Sequence, residues 1–358
     1  MRRNRNLSLL ALLAAPVLAY GGEPEAEKIE ALCQHYFEAG EIHGSILVAE
    51  AGKVIYEGGF GMANYEWDIP NGPDTKFRLG SITKQFTATL VMQLREAGKL
   101  ALEDPISKHL PNYRKDTGDR ITVHHLLTHT SGIPSYTGHP TFWKEVSRNP
   151  YTVADFVAKF CSGDLEFEPG AQYKYDNSGY FLLGAIIEKV GGKKYEELLR
   201  EKIFDPIGMN DSGYDWPAPI MKRRADGYER KDGQLVNAAY LDMSPPFSAG
   251  ALYSTVEDLH KWDRALYGTE LLTAESKKLM FTPYIKDYGY GWAVKPLLVK
   301  GETVNDAVEI SHGGGINGFN TLITRDPQAE RLIVVLNNAT PSPSDKLTHE
   351  ILDVLYED

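Results

Sequence analysis

The segment Phe319–Asn338, FNTLITRDPQAERLIVVLNN, predicts two β-strands and so bears directly on the class of fold. Two runs rich in β-branched and aliphatic residues, 319–324 and 331–336, flank a turn built on Asp326 and Pro327. Two such runs joined by a short turn are typical of a β-hairpin, whose strands pair antiparallel. The segment therefore indicates an antiparallel sheet.

The stretch just before this hairpin, SHGGGINGF from Ser311 to Phe319, has glycines at the G-x-G-x-x-G spacing of a nucleotide-binding loop. Such a loop requires a helix that opens on its third glycine, here Gly318, and an acidic residue about 20 positions later. The hairpin takes the place of that helix, and two asparagines stand where the acidic residue is needed. The sequence therefore argues against nucleotide binding at these glycines.

Strand patterns lie near both ends of the chain, with helical patterns between them. A helical run at residues 25–40 precedes the strand-like runs SILVAE and KVIYEGGFG. The strand-like runs YGYGWAVK and AVEIS precede the hairpin, and a helical run begins at Ser344. From Ser81 to about residue 280, helices and loops predominate.

This order predicts an α/β (α+β) fold with a mainly antiparallel sheet flanked by the N- and C-terminal helices. Residues 20–78 and 281–358 would form the sheet subdomain, and residues 79–280 an inserted, mostly helical subdomain. Ligand sites favour such interfaces, so we expect the active site where the two parts meet.

The first residues, MRRNRNLSLLALLAAPVLAYGGEP, have the pattern of a secretory signal. Arginines precede an apolar run at residues 7–19, and small residues at Val17 and Ala19 mark a cleavage pattern. We expect residues 1–19 to be a signal peptide and the mature protein to be exported, either periplasmic or secreted. The run is shorter than the roughly 20 residues that span a bilayer, so no membrane span is expected after cleavage. A retained anchor is the alternative.

Net charge limits the classes of binding partner, and cysteine content limits the disulfide bonds that the chain can form. Loss of three arginines with the signal would leave 35 basic against 49 acidic residues, a net charge of −14. This balance argues against nucleic acid or an anionic membrane as a partner. Cys33 and Cys161 are too few for a disulfide scaffold; one bridge and two buried free thiols both remain open.

The first candidate for chemistry is SITK, residues 81–84. Ser81 stands at the start of a run with helical spacing, where unpaired N–H groups and the helix dipole favour negative charge. Lys84 is one turn away on the same face, so its amine can approach the serine hydroxyl. A weak nucleophile needs such a neighbour to take its proton. The alternative is a helix-capping serine followed by a solvated lysine.

The second candidate is YDN, residues 175–177, just before a strongly apolar helical segment. A tyrosine near ammonium groups can have its pKa lowered and can exchange protons with a serine oxygen. The amide of Asn177 can hydrogen-bond both a lysine and a substrate. The alternative is an ordinary helix cap with a packing tyrosine.

The third candidate is the glycine stretch itself. Glycines on or just past a strand at AVEIS mark a place where backbone must approach something closely. A backbone N–H there, with that of Ser81, would make a two-donor oxyanion hole. The alternative is a β-bulge or turn with a surface histidine at His312.

The stretch SGIPSYTGHPTFWKEV contains the aromatic residues Tyr136, Phe142 and Trp143. We expect them to line one wall of the acyl pocket or to serve only in packing.

The three motifs in this order resemble the signature of the serine hydrolases of the class C β-lactamase and penicillin-binding-protein group, S-x-x-K, Y-x-N and K-T-G or H-x-G. LLTHTSGIPSY, EPGAQYKYDNSGYFLLGAIIEKV and IFDPIGMNDSGY are also similar to stretches of that group. The resemblance covers nearly the whole mature chain and implies a β-lactamase/transpeptidase-like architecture.

The resemblance implies a role for each residue that matches the signature. Ser81 would be the nucleophile, Lys84 and Tyr175 its proton-handling partners, and backbone N–H groups of Ser81 and Gly315 the oxyanion hole. The predicted substrate-binding residues are Asn177, His312, Gly313 and Gly314. His312 replaces the lysine that many β-lactamases carry and so removes a permanent cation, which makes a strong β-lactamase less expected than a peptidase or esterase.

The sequence thus predicts a serine hydrolase that forms a Ser81 acyl-enzyme with a D-peptide, an ester or a β-lactam and that needs no cofactor. A class C-like β-lactamase, an acylated sensor and a silent binding protein are the alternatives.

A group of histidines, His124, His125 and His129, includes a pair at the i, i+4 spacing that metal sites use on helices. The H-E-x-x-H pattern is absent, so no metal is predicted.

Overall fold

The computed structural model describes residues 24–357. The predicted signal peptide, residues 1–19, lies outside the described residues. The strands, in chain order, are β1 (Gly44–Glu50), β2 (Lys53–Phe60), β3 (Met62–Asn64), β4 (Ile69–Pro70), β5 (Phe77–Arg78), β6 (Gly213–Tyr214), β7 (Tyr228–Lys231), β8 (Gln234–Asn237), β9 (Leu252–Ser254), β10 (Ala293–Val299), β11 (Glu302–Ile316), β12 (Phe319–Asp326), β13 (Arg331–Asn337) and β14 (Ala339–Thr340).

The helices are α1 (Pro24–Glu38), α2 (Thr83–Glu96), α3 (Ile106–His109), α4 (Lys115–Gly118), α5 (Val123–Leu127), α6 (Val153–Phe160), α7 (Asn177–Gly191), α8 (Tyr195–Leu199), α9 (Asp205–Ile207), α10 (Phe247–Gly250), α11 (Val256–Tyr267), α12 (Ala274–Met280) and α13 (Ser344–Leu355). Single tighter or wider turns occur at Gly80–Ile82, Tyr136–Gly138, Phe142–Val146 and Arg200–Phe204.

The centre of the molecule is a six-stranded antiparallel sheet in the order β10-β11-β12-β13-β1-β2. The predicted hairpin is present as β12 and β13, which pair from Asn320 with Asn337 to Asp326 with Arg331. On its other side β13 pairs with β1, so that Gly44 also faces Asn337. The hairpin therefore joins the N-terminal strands to the C-terminal ones.

Each face of the sheet carries a separate hydrophobic core. Helices α1 and α13 cover one face, where Ile29, Cys33 and Ile351 are buried. The segment between β2 and β10 covers the other, where α11 packs on β1 and β13, and α2 and α7 belong to the same core. The fold class predicted from the sequence, an antiparallel sheet packed by terminal helices with a helical region, is confirmed.

The two cysteines lie in different cores, Cys33 beneath the terminal helices and Cys161 on the other face of the sheet, and both are free thiols.

The structure corrects two details of the strand prediction. YGYGWAVK forms strand only from Ala293, because residues 288–292 make a turn in which Gly291 has a positive φ of 76°. The segment between Ser81 and residue 280 is not only helices and loops, since it contains the short strands β6 to β9. Among residues 24–357, no helix combines the length and the apolar character needed to cross a bilayer.

Strand β11 continues through the glycines and ends at Ile316. Its partner on one side, β10, stops at the pair of Ala293 with Ser311, whereas β12 follows it to the end. Residues 312–316 therefore form a sheet edge. Gly314 packs so tightly there that a Cβ atom would lie 1.9 Å from the Leu79 carbonyl oxygen.

Alanine substitutions in this strand test that packing. We expect Gly314→Ala to destabilise the protein by about 1 to 3 kcal/mol, because the methyl group overlaps backbone that the sheet holds in place. Gly313→Ala and Gly315→Ala are the controls, since the nearest atom to their added Cβ is 3.6 Å away or beyond 4 Å. Urea unfolding measures the three differences; equal losses for all three would contradict this account.

Candidate active site

Ser81 lies in the single turn Gly80–Ile82 that leads into α2. Gly80 has a φ of 54°, and a Cβ atom there would lie 3.0 Å from the backbone nitrogen of Gly315. The turn therefore sits directly against the free edge of β11. The Thr321 hydroxyl, on β12, donates to the Leu79 carbonyl oxygen at 2.8 Å and fixes the two segments together.

Lys84 is fully buried, and its Nζ contacts three oxygens. These are Ser81 Oγ at 3.0 Å, Asn177 Oδ1 at 2.8 Å and the Ala249 carbonyl oxygen at 2.8 Å. The last two can only accept hydrogen bonds. A neutral amine has two hydrogens for those acceptors, which leaves its lone pair directed at the serine hydroxyl. The geometry therefore suits Lys84 as a base toward Ser81.

The charge state of Lys84 favours the same role. Burial lowers the pKa of this lysine to about 7, and the negative charge of Asp176 offsets part of that effect. A general base is most effective when its pKa lies near the working pH. Lys84 therefore exchanges its proton near neutrality.

Asn177 begins α7 and is placed by the residue before it. Asp176 caps the helix by accepting from the backbone N–H groups of Ser178 at 2.6 Å and Gly179 at 3.0 Å. The Asn177 side chain accepts from Lys84 through Oδ1 and donates to Thr137 Oγ1 at 3.3 Å through Nδ2. This amide thus ties α7 to the lysine.

Tyr175 is half-buried, with its ring 4.9 Å from Lys84 Nζ. Burial raises the pKa of its phenol, and the Ser81 hydroxyl beside it offsets only part of this effect. The expectation of a lowered Tyr175 pKa is wrong, because loss of water on burial is the largest effect on the phenol and raises its pKa. Tyr175 is therefore a neutral hydroxyl that can donate a proton.

His312 does not present a cation to the cleft. Its Nδ1 donates to the Gly313 carbonyl oxygen at 2.7 Å, because a carbonyl can only accept. Its Nε2 then accepts from the Tyr288 hydroxyl at 2.8 Å. Burial, together with the charge of Lys84, lowers the pKa of His312 to about 3. His312 therefore supplies no positive charge that could pair with a substrate carboxylate.

Two cavities meet along the glycine strand. A narrow slot of about 60 Å³ is lined by Ser81, Asn177 and Gly315, with Tyr136, Phe142 and Trp143 along one wall. A wider cavity of about 530 Å³ is lined by Tyr173, Tyr175, Tyr288, His312 and Gly313 to Gly315, and none of its described lining residues is lysine or arginine. Ser81 and Gly315 thus share the slot where an oxyanion hole is predicted.

Three parts of this site were not predicted as site residues from the sequence. The Ala249 carbonyl belongs to the backbone, so residue identity does not reveal it. Tyr288 lies in a turn that the sequence pattern assigned to a strand. His129 packs its ring 4.3 Å from that of Tyr175, from a backbone position with a φ of 57°.

Each of the three histidines at residues 124–129 hydrogen-bonds another part of the protein. His124 Nδ1 pairs with the Tyr290 hydroxyl, while His125 and His129 Nδ1 accept from the backbone N–H groups of Thr122 and Asp176. Within residues 24–357, no group of three or more His, Cys, Asp or Glu side chains is arranged to hold a metal ion.

Comparison of the sequence with known protein families matches this chain to one family. The family model described as Beta-lactamase matches residues 29–357. A penicillin-binding protein of Bacillus subtilis (strain 168) is 30% identical over 338 residues, which cover 87% of this chain and 71% of that protein.

Solved structures agree with this match. The octameric penicillin-binding protein homologue from Pyrococcus abyssi is 33% identical with a TM-score of 0.80, over 92% of this chain and 77% of its own. A D-stereospecific amidohydrolase from a Streptomyces species is 28% identical with a TM-score of 0.75, over 89% of this chain and 97% of its own.

The pH dependence of serine labelling tests the assignment of Lys84. We expect the rate at which an uncharged fluorophosphonate labels Ser81 to rise with pH and level off, with a midpoint near 7, because only the neutral amine accepts the proton. Lys84→Met should lower the rate at pH 8 by about 10² to 10⁴-fold. Lys174→Met, which removes an exposed lysine paired with Glu166, should keep the wild-type curve. A midpoint near 10 would exclude a lowered Lys84 pKa.

Proposed function

The chain belongs to the β-lactamase family of serine hydrolases, and on this premise we propose that it hydrolyses neutral amides or esters of D-amino acids through a Ser81 acyl-enzyme. The observation that carries the proposal is the contact set of Lys84, which aims one amine at the serine hydroxyl. Of this set, Ser81, Lys84 and Asn177 are residues that the resemblance to this family singled out in the sequence.

The reaction would begin with proton transfer from Ser81 Oγ to neutral Lys84 as the oxygen attacks the substrate carbonyl. The backbone N–H groups of Ser81 and Gly315 would hold the oxyanion, since both residues line the same slot. Tyr175 would donate a proton to the departing amine or alcohol and recover one from the Lys84 ammonium. Water would then enter where the leaving group was, pass a proton through Tyr175 to Lys84 and attack the acyl carbon. The bond to Ser81 Oγ would break, and Lys84 would return the proton to that oxygen.

The substrate class follows from charge. The carboxylate of a C-terminal peptide or of a β-lactam lies on the nitrogen side of the bond that is broken. Tyr175, the proton donor, lines the cavity that also contains His312, so the leaving group would lie there. His312 is neutral, and the described residues around that cavity supply no lysine or arginine. A neutral leaving group is therefore the better fit.

The similar proteins support amide chemistry. One solved structure, 28% identical to this chain, is a D-stereospecific amidohydrolase. We carry over the D preference and the amide bond to this chain as part of the proposal. The contact set of Lys84 suits esters equally, because an alkoxide leaving group takes the same proton.

A substrate panel tests the proposal. We expect D-phenylalanine amide and p-nitrophenyl butyrate to be hydrolysed and a D-alanyl-D-alanine peptide or a chromogenic cephalosporin to be poor substrates. Ser81→Ala should lower kcat/KM by about 10³-fold or more, while Ser162→Ala, a serine in the loop after α6, should not.

Other outcomes of this panel separate the alternatives. A cephalosporin as best substrate would make the protein a β-lactamase, and a lasting mass adduct on Ser81 without product would make it a sensor. Full turnover by Ser81→Ala would overturn the acyl-enzyme itself.

We also propose that the protein is exported, on the basis of the signal pattern at residues 1–19. Expression in a Gram-negative bacterium followed by intact-mass measurement of the periplasmic fraction should show a chain that begins at residue 20. A chain that retains residue 1 and stays in the cytoplasmic fraction would contradict export.

A further inference from the structure

A further cavity adjoins the slot on the side away from Tyr175. It measures about 290 Å³ and shares the side chain of Leu241 with the slot. The end of β11 passes from one to the other, since Ile316 lines the slot and Asn317 lines the cavity. Arg78, three residues before Ser81, also lines it. The cavity therefore lies next to the reacting centre but outside the residues assigned to catalysis.

Two guanidinium groups in this cavity share one buried carboxylate. Asp215 has no exposed side-chain surface, and its Oδ2 accepts from Arg78 Nε at 2.5 Å. Its Oδ1 accepts from Arg224 Nη1 at 3.1 Å. Two positive charges thus face a single negative one, and both arginines keep part of their side chains exposed, 19% for Arg78 and 35% for Arg224.

The arginines also keep free donors. Among the described residues, the two terminal nitrogens of Arg78 and the Nε and Nη2 of Arg224 have no protein hydrogen-bond partner. Asp226, the one acidic side chain in the described lining, accepts from Asn64 Nδ2 at 2.6 Å and is within ion-pair distance of neither arginine. The cavity thus offers unpaired planar donors that suit a carboxylate.

The position of the cavity decides which part of a substrate would reach it. Because the leaving group would lie beside Tyr175, the acyl part would lie in the slot on the other side of Ser81. A side chain of the acyl residue that passes Leu241 enters the arginine cavity, whose walls include Met243 and Phe319. A group of two or three methylenes would pack along these apolar walls and direct its end toward the guanidinium groups.

We propose that Arg78 and Arg224 form a subsite for a carboxylate at the end of the substrate's acyl side chain. The protein would then prefer D-amino acid amides or esters with an acidic side chain, such as D-glutamyl compounds. This inference rests on the proposed function, because it assigns the acyl part to the slot. It places charge recognition on the acyl side, whereas the leaving-group side stays neutral.

An isosteric substrate pair tests the subsite. D-Glutamic acid α-(p-nitroanilide) and D-glutamine p-nitroanilide have the same size and differ in one charge. We expect the wild-type kcat/KM for the glutamyl compound to be about tenfold higher, as for one charge-assisted hydrogen bond. In Arg224→Gln the ratio of the two kcat/KM values should fall to about one, and labelling of Ser81 by a fluorophosphonate shows that the variant is folded.

Lys222→Gln is the matched control. It removes one positive charge from the same segment, but Lys222 lines a different cavity. A similar loss of preference in Lys222→Gln would show that net charge alone acts at a distance and would overturn the subsite. So would a wild-type enzyme that prefers the glutaminyl compound, or an Arg224→Gln enzyme that keeps the tenfold preference.

A second measurement separates failure of the subsite from failure of the proposed function. If Ser81 is labelled by a fluorophosphonate but neither anilide is cleaved, protection of Ser81 by D-glutamate and by D-glutamine is compared. Equal protection overturns the subsite, whereas stronger protection by D-glutamate that is lost in Arg224→Gln supports it. If Ser81 is not labelled and neither anilide is cleaved, the acyl-enzyme function itself fails, and the subsite with it.

Discussion

The hydrogen bonds of one buried amine organise the site. Lys84 Nζ joins Ser81 at the start of α2, Asn177 at the start of α7 and the Ala249 carbonyl in α10. A buried ammonium is costly unless it is fully paired, so these elements must converge around Lys84 for the charge to be tolerated at all. The same burial that demands the convergence also lowers the pKa of the lysine. Packing and reactivity therefore have one cause.

Much of this could be predicted from the sequence, because the decisive patterns are local. The hairpin at residues 319–337 follows from two runs of β-branched and aliphatic residues around a turn, and the one-turn spacing of Ser81 and Lys84 follows from helix geometry. The chemical state of His312 could not be predicted. It depends on Tyr288, a residue 24 positions away that a turn brings to within 2.8 Å. Likewise the pKa of Tyr175 follows from burial, which depends on tertiary packing that no single segment encodes.

The two sides of the cleft differ in charge for structural reasons. On one side, His312 lies in a strand edge whose own backbone and a tyrosine hydroxyl satisfy both ring nitrogens. On the other, Asp215 is completely buried and needs cations beside it, and two arginines from separate segments meet that need with donors to spare. A buried carboxylate thus holds guanidinium groups in fixed positions next to the nucleophile. Rigid donors of this kind are what selective recognition of an anion requires.

The separation of the two cysteines by the sheet has a consequence for biogenesis. Cys33 is buried beneath the terminal helices and Cys161 beneath the inserted segment, and burial raises the pKa of both thiols. A thiol that stays protonated and has no access to solvent is a poor partner in disulfide exchange. Folding of this chain therefore depends on neither an oxidant nor a disulfide isomerase. The same native structure is accessible in a reducing cytosol and in an oxidising compartment.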